Sequence, residues 1–185
     1  MSSRSFDTRK LQVEAFAKSG ETESGDWPLQ SFDRLAAMAH PDAPPTAADV
    51  VEWQATGELR KVRGAGEQPW LHLGASTVIA LQCQRCLGPV VTPVAIDDHF
   101  RFVHGEEAAE REDVDSEEDV LAMPRSLDLQ ELVEDELMLA LPLVPRHDVC
   151  PAPLPVPDNA DVPGEDEPVN PFAALAALKT KPPLQ

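Results

Sequence analysis

The sequence predicts an α+β fold in which a longer helix packs on an antiparallel β-sheet. Two patterns predict this class. Residues 50–103 alternate apolar and polar side chains in three runs joined by short turns, which is typical of antiparallel strands with one buried face. Residues 128–141 instead repeat apolar side chains at helical spacing. A partly closed barrel is an alternative arrangement of the same strands.

The chain divides into three predicted parts. Residues 1–46 form an N-terminal helical segment, residues 47–150 form the α+β core domain, and residues 151–185 form a linker that ends in a short helix. The N-terminal segment carries two short predicted helices, at 7–19 and 31–39, because apolar side chains recur at helical spacing in both. The proline-rich stretch 40–46 breaks the chain before the core domain.

Three strands are predicted in the core, over residues 50–62, 70–82 and 90–103. In the first strand Val51, Trp53 and Ala55 lie on the face opposite Glu52 and Gln54. The other two strands continue the same alternation, and residues 63–69 form a loop. One face of this sheet is therefore expected to be buried.

Acidic residues are concentrated in two segments. The net charge of the chain is −18, and residues 105–120 carry nine acids and one arginine, while residues 158–168 carry five acids and no base. Like charges repel one another and stay hydrated, so we predict an acidic loop at 105–120 and a flexible linker after residue 151. The alternative is that these acids attract a basic partner.

Direct RNA binding is disfavoured by the same charge distribution. A protein that holds phosphates needs clustered Lys and Arg side chains, and no segment supplies a strong cluster. A small patch of four basic residues is the exception: Arg60, Lys61, Arg63 and Arg85. A basic protein is therefore the more natural partner, and no apolar run reaches the length that spans a membrane.

The helix predicted at 128–141 begins with a capping pattern, Asp128 followed by Glu131. Glu131, Glu134 and Asp135 are expected on its solvent-facing side, where they are candidates for binding a basic partner. A catalytic role for these carboxylates is disfavoured, because no nucleophile, nucleotide-binding loop or metalloprotease motif accompanies them. The chain is therefore not expected to be an enzyme.

Two cysteines in the turn between the second and third strands are the sharpest local motif. Cys83 and Cys86 have the spacing of half a tetrahedral zinc site, and His147 with Cys150 can supply the other half. His99 and His104 are substitute ligands. The alternatives are small turn residues or a redox pair, although a redox CxxC normally opens a helix. An odd number of cysteines indicates a reducing compartment, so a cytoplasmic protein is expected.

The C-terminal residues predict a short helix after the linker. Asn170 can cap it, Pro171 suits its first turn, and Phe172 begins an apolar stripe. Such a helix either folds back onto the domain or docks into a groove of a partner.

Three stretches of this sequence together resemble the bacterial YceD family of large ribosomal RNA subunit accumulation proteins. They are LQCQRCLGPVV at 81–91, DLQELVEDELMLALPLVPRHDVC at 128–150, and NPFAALAALK at 170–179. The resemblance is carried by their order along the chain, with an acidic insert between the first two. On these positions the family's cysteines correspond to Cys83, Cys86 and Cys150, and its C-terminal motif to Asn170, Pro171 and Phe172.

The resemblance implies a role in ribosome biogenesis, through synthesis or accumulation of large-subunit ribosomal RNA, with no known catalytic activity. Combined with the acidic composition, it leads to the hypothesis that the protein acts through a basic ribosomal protein or processing factor. Two alternatives stay open. One is an acidic adaptor or holdase for basic client proteins without a specific link to ribosomal RNA, and the other is a thiol enzyme that uses Cys83 and Cys86.

Overall fold

The computed structural model describes residues 6–62 and 66–151. Its elements follow one another as α1 (Val13–Ser19), β1 (Thr22–Pro28), a 3-10 turn (Leu29–Ser31), α2 (Asp33–Ala37), β2 (Val50–Val62), β3 (Gly66–Gln82), β4 (Pro89–Val103), α3 (Glu106–Asp113), β5 (Asp119–Ala122) and α4 (Leu129–Leu139). The strands form one sheet in the order β1-β2-β3-β4-β5. The predicted α+β class is confirmed. The alternative of a partly closed barrel is wrong, because β1 and β5 stay at opposite ends of the sheet.

The sheet is mixed and not purely antiparallel as predicted. The pairs β1–β2, β2–β3 and β3–β4 are antiparallel, but β5 runs parallel to β4, with Phe100 beside Asp119. Two parallel strands need a crossover connection that brings the chain back to the end of the sheet where the first strand began, and this connection is usually helical. Here α3 provides it.

The prediction of an acidic loop over residues 105–120 is wrong, because α3 occupies Glu106–Asp113 and β5 begins at Asp119. Helix α3 has Glu106 and Glu107 in its first turn, where negative charge is favoured by the helix dipole. Ala109 packs with Val103 and Val120 in a small apolar cluster between the helix and the sheet. The acids around Ala109 thus stay at the surface while one side of the helix is covered.

The main core lies on one face of the sheet, under α1, α2 and α4. Inward-facing side chains of the three long strands meet apolar side chains of these helices. The largest fully buried side chains include Phe16, Phe32, Phe100, Phe102, Leu35, Leu71, Leu73, Ile79, Leu129 and Leu137. Phe16, Phe32 and Leu35, which precede position 46, therefore share this core, while the proposed domain boundary at 46 stays a prediction. No helix in the described ranges is long and apolar enough to cross a membrane.

Strand β1 was not predicted from the sequence. Its residues, TESGDWP, include Gly, Asp and Pro, which are depleted in strands. An edge position tolerates them, because only one side of the strand must pair. Trp27 of β1 also stacks on Trp53 of β2 with ring centroids 4.5 Å apart, which anchors the edge to the core. Pairing with β2, which is distant in sequence, therefore determines the extended conformation of β1.

Gly57 of β2 lies directly under helix α1. A Cβ atom at this position would lie 2.5 Å from the carbonyl oxygen of Phe16, well inside van der Waals contact. We predict that Gly57→Ala lowers the free energy of unfolding by about 2 kcal/mol, because the helix backbone must shift. Urea denaturation measures this. Gly74→Ala is the matched control, since its Cβ would have only Ile96 O at 3.8 Å nearby; equal losses in both variants would contradict the prediction.

Candidate metal centre

The turn between β3 and β4 forms a compact knuckle around Cys83. The Cys83 amide donates to Gly88 O at 2.9 Å, and the Leu87 amide donates to Cys83 O at 2.9 Å. Leu87 has a φ of 60°, the left-handed region that a leucine rarely adopts. The turn directs both Cys83 and Cys86 toward the segment that follows α4.

The segment after α4 brings the other two predicted ligands to this knuckle. The Gln84 amide donates to Pro145 O at 2.9 Å, which holds the segment in place. The ligand atoms of Cys83, Cys86, His147 and Cys150 all lie within 4.8 Å of one another. The sequence prediction that these four residues meet is thus supported by the geometry.

Two distances agree with tetrahedral coordination. Cys83 Sγ lies 4.0 Å from Cys150 Sγ, and Cys86 Sγ lies 3.5 Å from His147 Nδ1. Zinc bonds of about 2.3 Å to sulfur and about 2.0 Å to nitrogen place tetrahedral neighbours about 3.8 Å (S to S) and about 3.5 Å (S to N) apart. These two distances match the donor spacing of such a site, and all four donor atoms lie within 4.8 Å of one another.

The histidine is oriented as a ligand by its second nitrogen. His147 Nε2 lies 3.0 Å from Pro89 O, an acceptor, so Nε2 carries the proton. In the neutral ring this leaves the lone pair of Nδ1 facing the cysteines. A backbone carbonyl in this position is a common way to fix the tautomer of a metal-binding histidine.

The thiols differ in their ionisation. Burial raises the pKa of Cys83, but the backbone amides of Arg85, Cys86 and His147 donate to its sulfur and lower this pKa to about 5. Burial, followed by hydrogen bonds and charge from Cys86 and Cys83, raises the pKa of Cys150 to about 11. Amide donors already stabilise the Cys83 thiolate, and a divalent cation would be needed to bring Cys150 to the same state.

The donor set fits zinc better than other common cations. Three cysteines and one histidine form a closed tetrahedral set, which is typical of structural zinc, whereas catalytic sites keep one position open. His99 and His104, the substitute ligands, do not join it. His99 stacks on His72, with ring centroids 4.3 Å apart, and His104 is exposed.

His40 supports the knuckle and was missed in the sequence. It is 5% exposed, and its Nε2 lies 2.8 Å from Leu87 O, while its Nδ1 accepts from the Asp42 amide at 3.1 Å. The ring therefore donates a hydrogen bond to the residue with the left-handed backbone. No local pattern signals this role, because His40 and Leu87 are separated by 47 positions.

We predict that His40→Ala weakens zinc binding about tenfold, since residues that orient a ligand-bearing turn usually have effects of this size. Competition with a chromogenic chelator measures the affinity. Asp42→Ala is the control, because His40 receives its bond from the backbone of Asp42 and not from that residue's side chain. Equal affinities of the wild type and His40→Ala would contradict the prediction.

The structure places the predicted partner-binding residues differently. Arg85 and Glu131 are exposed, and Asp135 pairs with Arg34 at 2.6 Å while staying about half exposed. Glu134 was expected on a solvated face, and this is wrong: it is only 9% exposed. Asn170, Pro171 and Phe172 lie outside the described residues. Partner binding by the others stays a prediction.

Glu134 faces inward because it closes the start of α2. Its carboxylate accepts the Arg34 amide at 2.7 Å and the Leu35 amide at 3.1 Å, and also the Arg34 guanidinium at 3.0 and 3.1 Å. The sequence prediction used only helical periodicity, and it assigned Glu134 to the same solvent-facing side as Glu131 and Asp135. The acceptor is needed by a helix about 100 positions earlier in the chain, which no local pattern can show.

A protein-family comparison bears directly on this site. The family model described as "Large ribosomal RNA subunit accumulation protein YceD" matches residues 71–179, more than half of the chain. The chain belongs to the YceD family. The matched region of this YceD protein contains all four candidate ligands and the three stretches that carried the resemblance. No solved structure was found to match the chain.

Proposed function

We propose that this YceD protein is a non-enzymatic factor in the synthesis or accumulation of large-subunit ribosomal RNA, with a zinc ion that holds its knuckle in place. The family match over residues 71–179 is the observation that carries the proposal. The closed set of four donors supports a structural ion, because it leaves no coordination position for a substrate. A thiol enzyme is less well supported, since Cys83 lies between strands and is fully buried.

The basic residues support action through a protein and not through RNA phosphates. Arg60 and Lys61 of β2 pair with residues at the start of β3, and Arg85 lies past the end of β3, roughly 45 Å away at the usual rise of a strand. They therefore do not form the single patch that the sequence suggested; Arg63 lies outside the described residues. Several other bases are already held in ion pairs: Arg9, Lys18, Arg34 and Arg101.

The ribosomal role is tested by depletion of the protein from cells. We expect the ratio of large- to small-subunit ribosomal RNA to fall and to be restored by the wild-type chain. An unchanged ratio would remove the support for this role. The better hypothesis would then be an adaptor or holdase for basic client proteins. Such a protein is expected to bind many basic proteins, with an affinity that falls steeply as the salt concentration rises.

The mode of action is tested by cross-linking in cells, followed by purification with and without nuclease. We expect a basic ribosomal protein or processing factor to remain bound after nuclease treatment. Recovery of ribosomal RNA with no cross-linked protein would contradict the protein-mediated route. The cytoplasmic location stays a prediction that fractionation can check.

A further inference from the structure

The face of the sheet opposite the core changes character along its length. In the middle of this face the side chains are polar, among them Thr56, His72 and Asp97. Toward the knuckle the same face becomes apolar. Val50 of β2, Val78 of β3 and Val91 of β4 are 37%, 53% and 71% exposed.

These valines form one continuous surface. Val78 pairs with Pro93 across β3–β4, and Val91 pairs with Ala80 one step further along. Two adjoining clefts, of about 470 and 400 Å³, share Val78 and Asp49 in their walls. We call the surface formed by Val50, Val78, Val91 and Pro93 the valine cleft. A contiguous apolar surface that is exposed in this way often marks a site of interaction with another molecule.

The rim of the valine cleft is acidic. Asp49 and Glu52 line it, and no Lys or Arg is among the described residues that form the two clefts. The Thr46 amide and hydroxyl donate to Asp49 at 2.6 and 2.7 Å and hold its pKa below the usual range, so Asp49 keeps its charge. The surface therefore combines exposed valines with negative charge.

We propose that the valine cleft binds an extended peptide segment of a partner that alternates basic and apolar side chains. This rests on the proposed function, because it assigns a surface to the basic partner. Charge complementarity selects this occupant. A second copy packed cleft to cleft would bring Asp49 and Glu52 against the same acids, and residues 158–168 of the same chain carry five acids.

The test uses the full-length protein and short synthetic peptides of alternating Lys and Val, with Lys–Ser and Glu–Val peptides for comparison. NMR amide shifts locate the binding, and fluorescence anisotropy measures its affinity. We expect the Lys–Val peptide to shift amides of Val50, Val78 and Val91 and to bind most tightly. The double variant Val78→Lys/Val91→Lys should weaken this binding at least about tenfold, because like charges then face one another.

Val114→Lys is the matched control, since Val114 is 82% exposed and is not among the residues that line the two clefts. An equal loss in this variant, equal binding of the Lys–Ser peptide, or shifts confined to residues 105–120 would overturn the proposal. Sedimentation that shows dimers of the wild type and monomers of the double variant would also overturn it, in favour of a second copy. Each result is independent of whether depletion lowers large-subunit ribosomal RNA, so the two proposals can fail separately.

Discussion

Removal of zinc from the purified protein is expected to lower its free energy of unfolding by several kcal/mol, because binding energy at a structural site is folding energy. For a domain of this size the melting temperature should fall by about 10 °C. Two features of the knuckle lead us to expect that a bound ion would stabilise it. It joins β3–β4 to the segment after α4, and the left-handed backbone of Leu87 has to be stabilised. Differential scanning fluorimetry with and without a chelator measures the effect.

The control for chelation is Cys83→Ser, which lacks one thiolate of the set. This variant should melt at a lower temperature than the wild type and show no further change on chelation. One zinc ion per chain should be found by elemental analysis in the wild type only. The prediction would be contradicted if the wild type is free of metal as purified and its melting temperature does not rise when zinc is added. The four residues would then contribute only to packing.

Loss of the Glu134 carboxylate is the second large effect that we expect. Glu134→Ala should lower the free energy of unfolding by about 3 kcal/mol, because hydrogen bonds to a charged group each contribute more than neutral ones and the α2 amides would lose their acceptor. The residue is largely buried, so water replaces the carboxylate poorly. Chemical denaturation with circular dichroism measures the loss.

Glu131→Ala is the matched control on the same helix. Its side chain is exposed, so we expect a change within about 0.5 kcal/mol. Glu134→Gln should recover part of the stability, since the amide oxygen still accepts a backbone hydrogen bond but cannot pair with Arg34 as a carboxylate does. Similar losses in Glu131→Ala and Glu134→Ala would show that the acceptor role of Glu134 is not important.

Much of the sheet could be predicted because its signal is local. The three runs of alternating residues gave β2, β3 and β4 to within a few positions, and Asp128 caps α4 as expected, accepting the amides of Gln130 and Glu131 at 3.0 and 3.1 Å. In each case the pattern that signals the element is also the pattern that stabilises it. Strand β1 was not predicted because its partner β2 is distant in sequence, and α3 was not predicted because its many acids obscure its one buried residue, Ala109.

The four candidate ligands could be proposed from the sequence because their chemistry is rare in this chain. Three cysteines and a nearby histidine have few other uses in a cysteine-poor protein. Their supporting residues could not be proposed. His40 and Pro89 act through hydrogen bonds to the knuckle that exist only in the folded chain, and neither has a recognisable spacing to the ligands.

The most direct test of the account is the ratio of large- to small-subunit ribosomal RNA in depleted cells that express chosen variants at equal levels. The wild-type chain and Glu131→Gln, which changes only an exposed side chain, should restore the ratio. Cys83→Ser should fail to restore it, since the knuckle would lose its ion. A ratio that depletion does not lower, or that Cys83→Ser restores fully, would contradict a zinc-held factor in the accumulation of large-subunit ribosomal RNA.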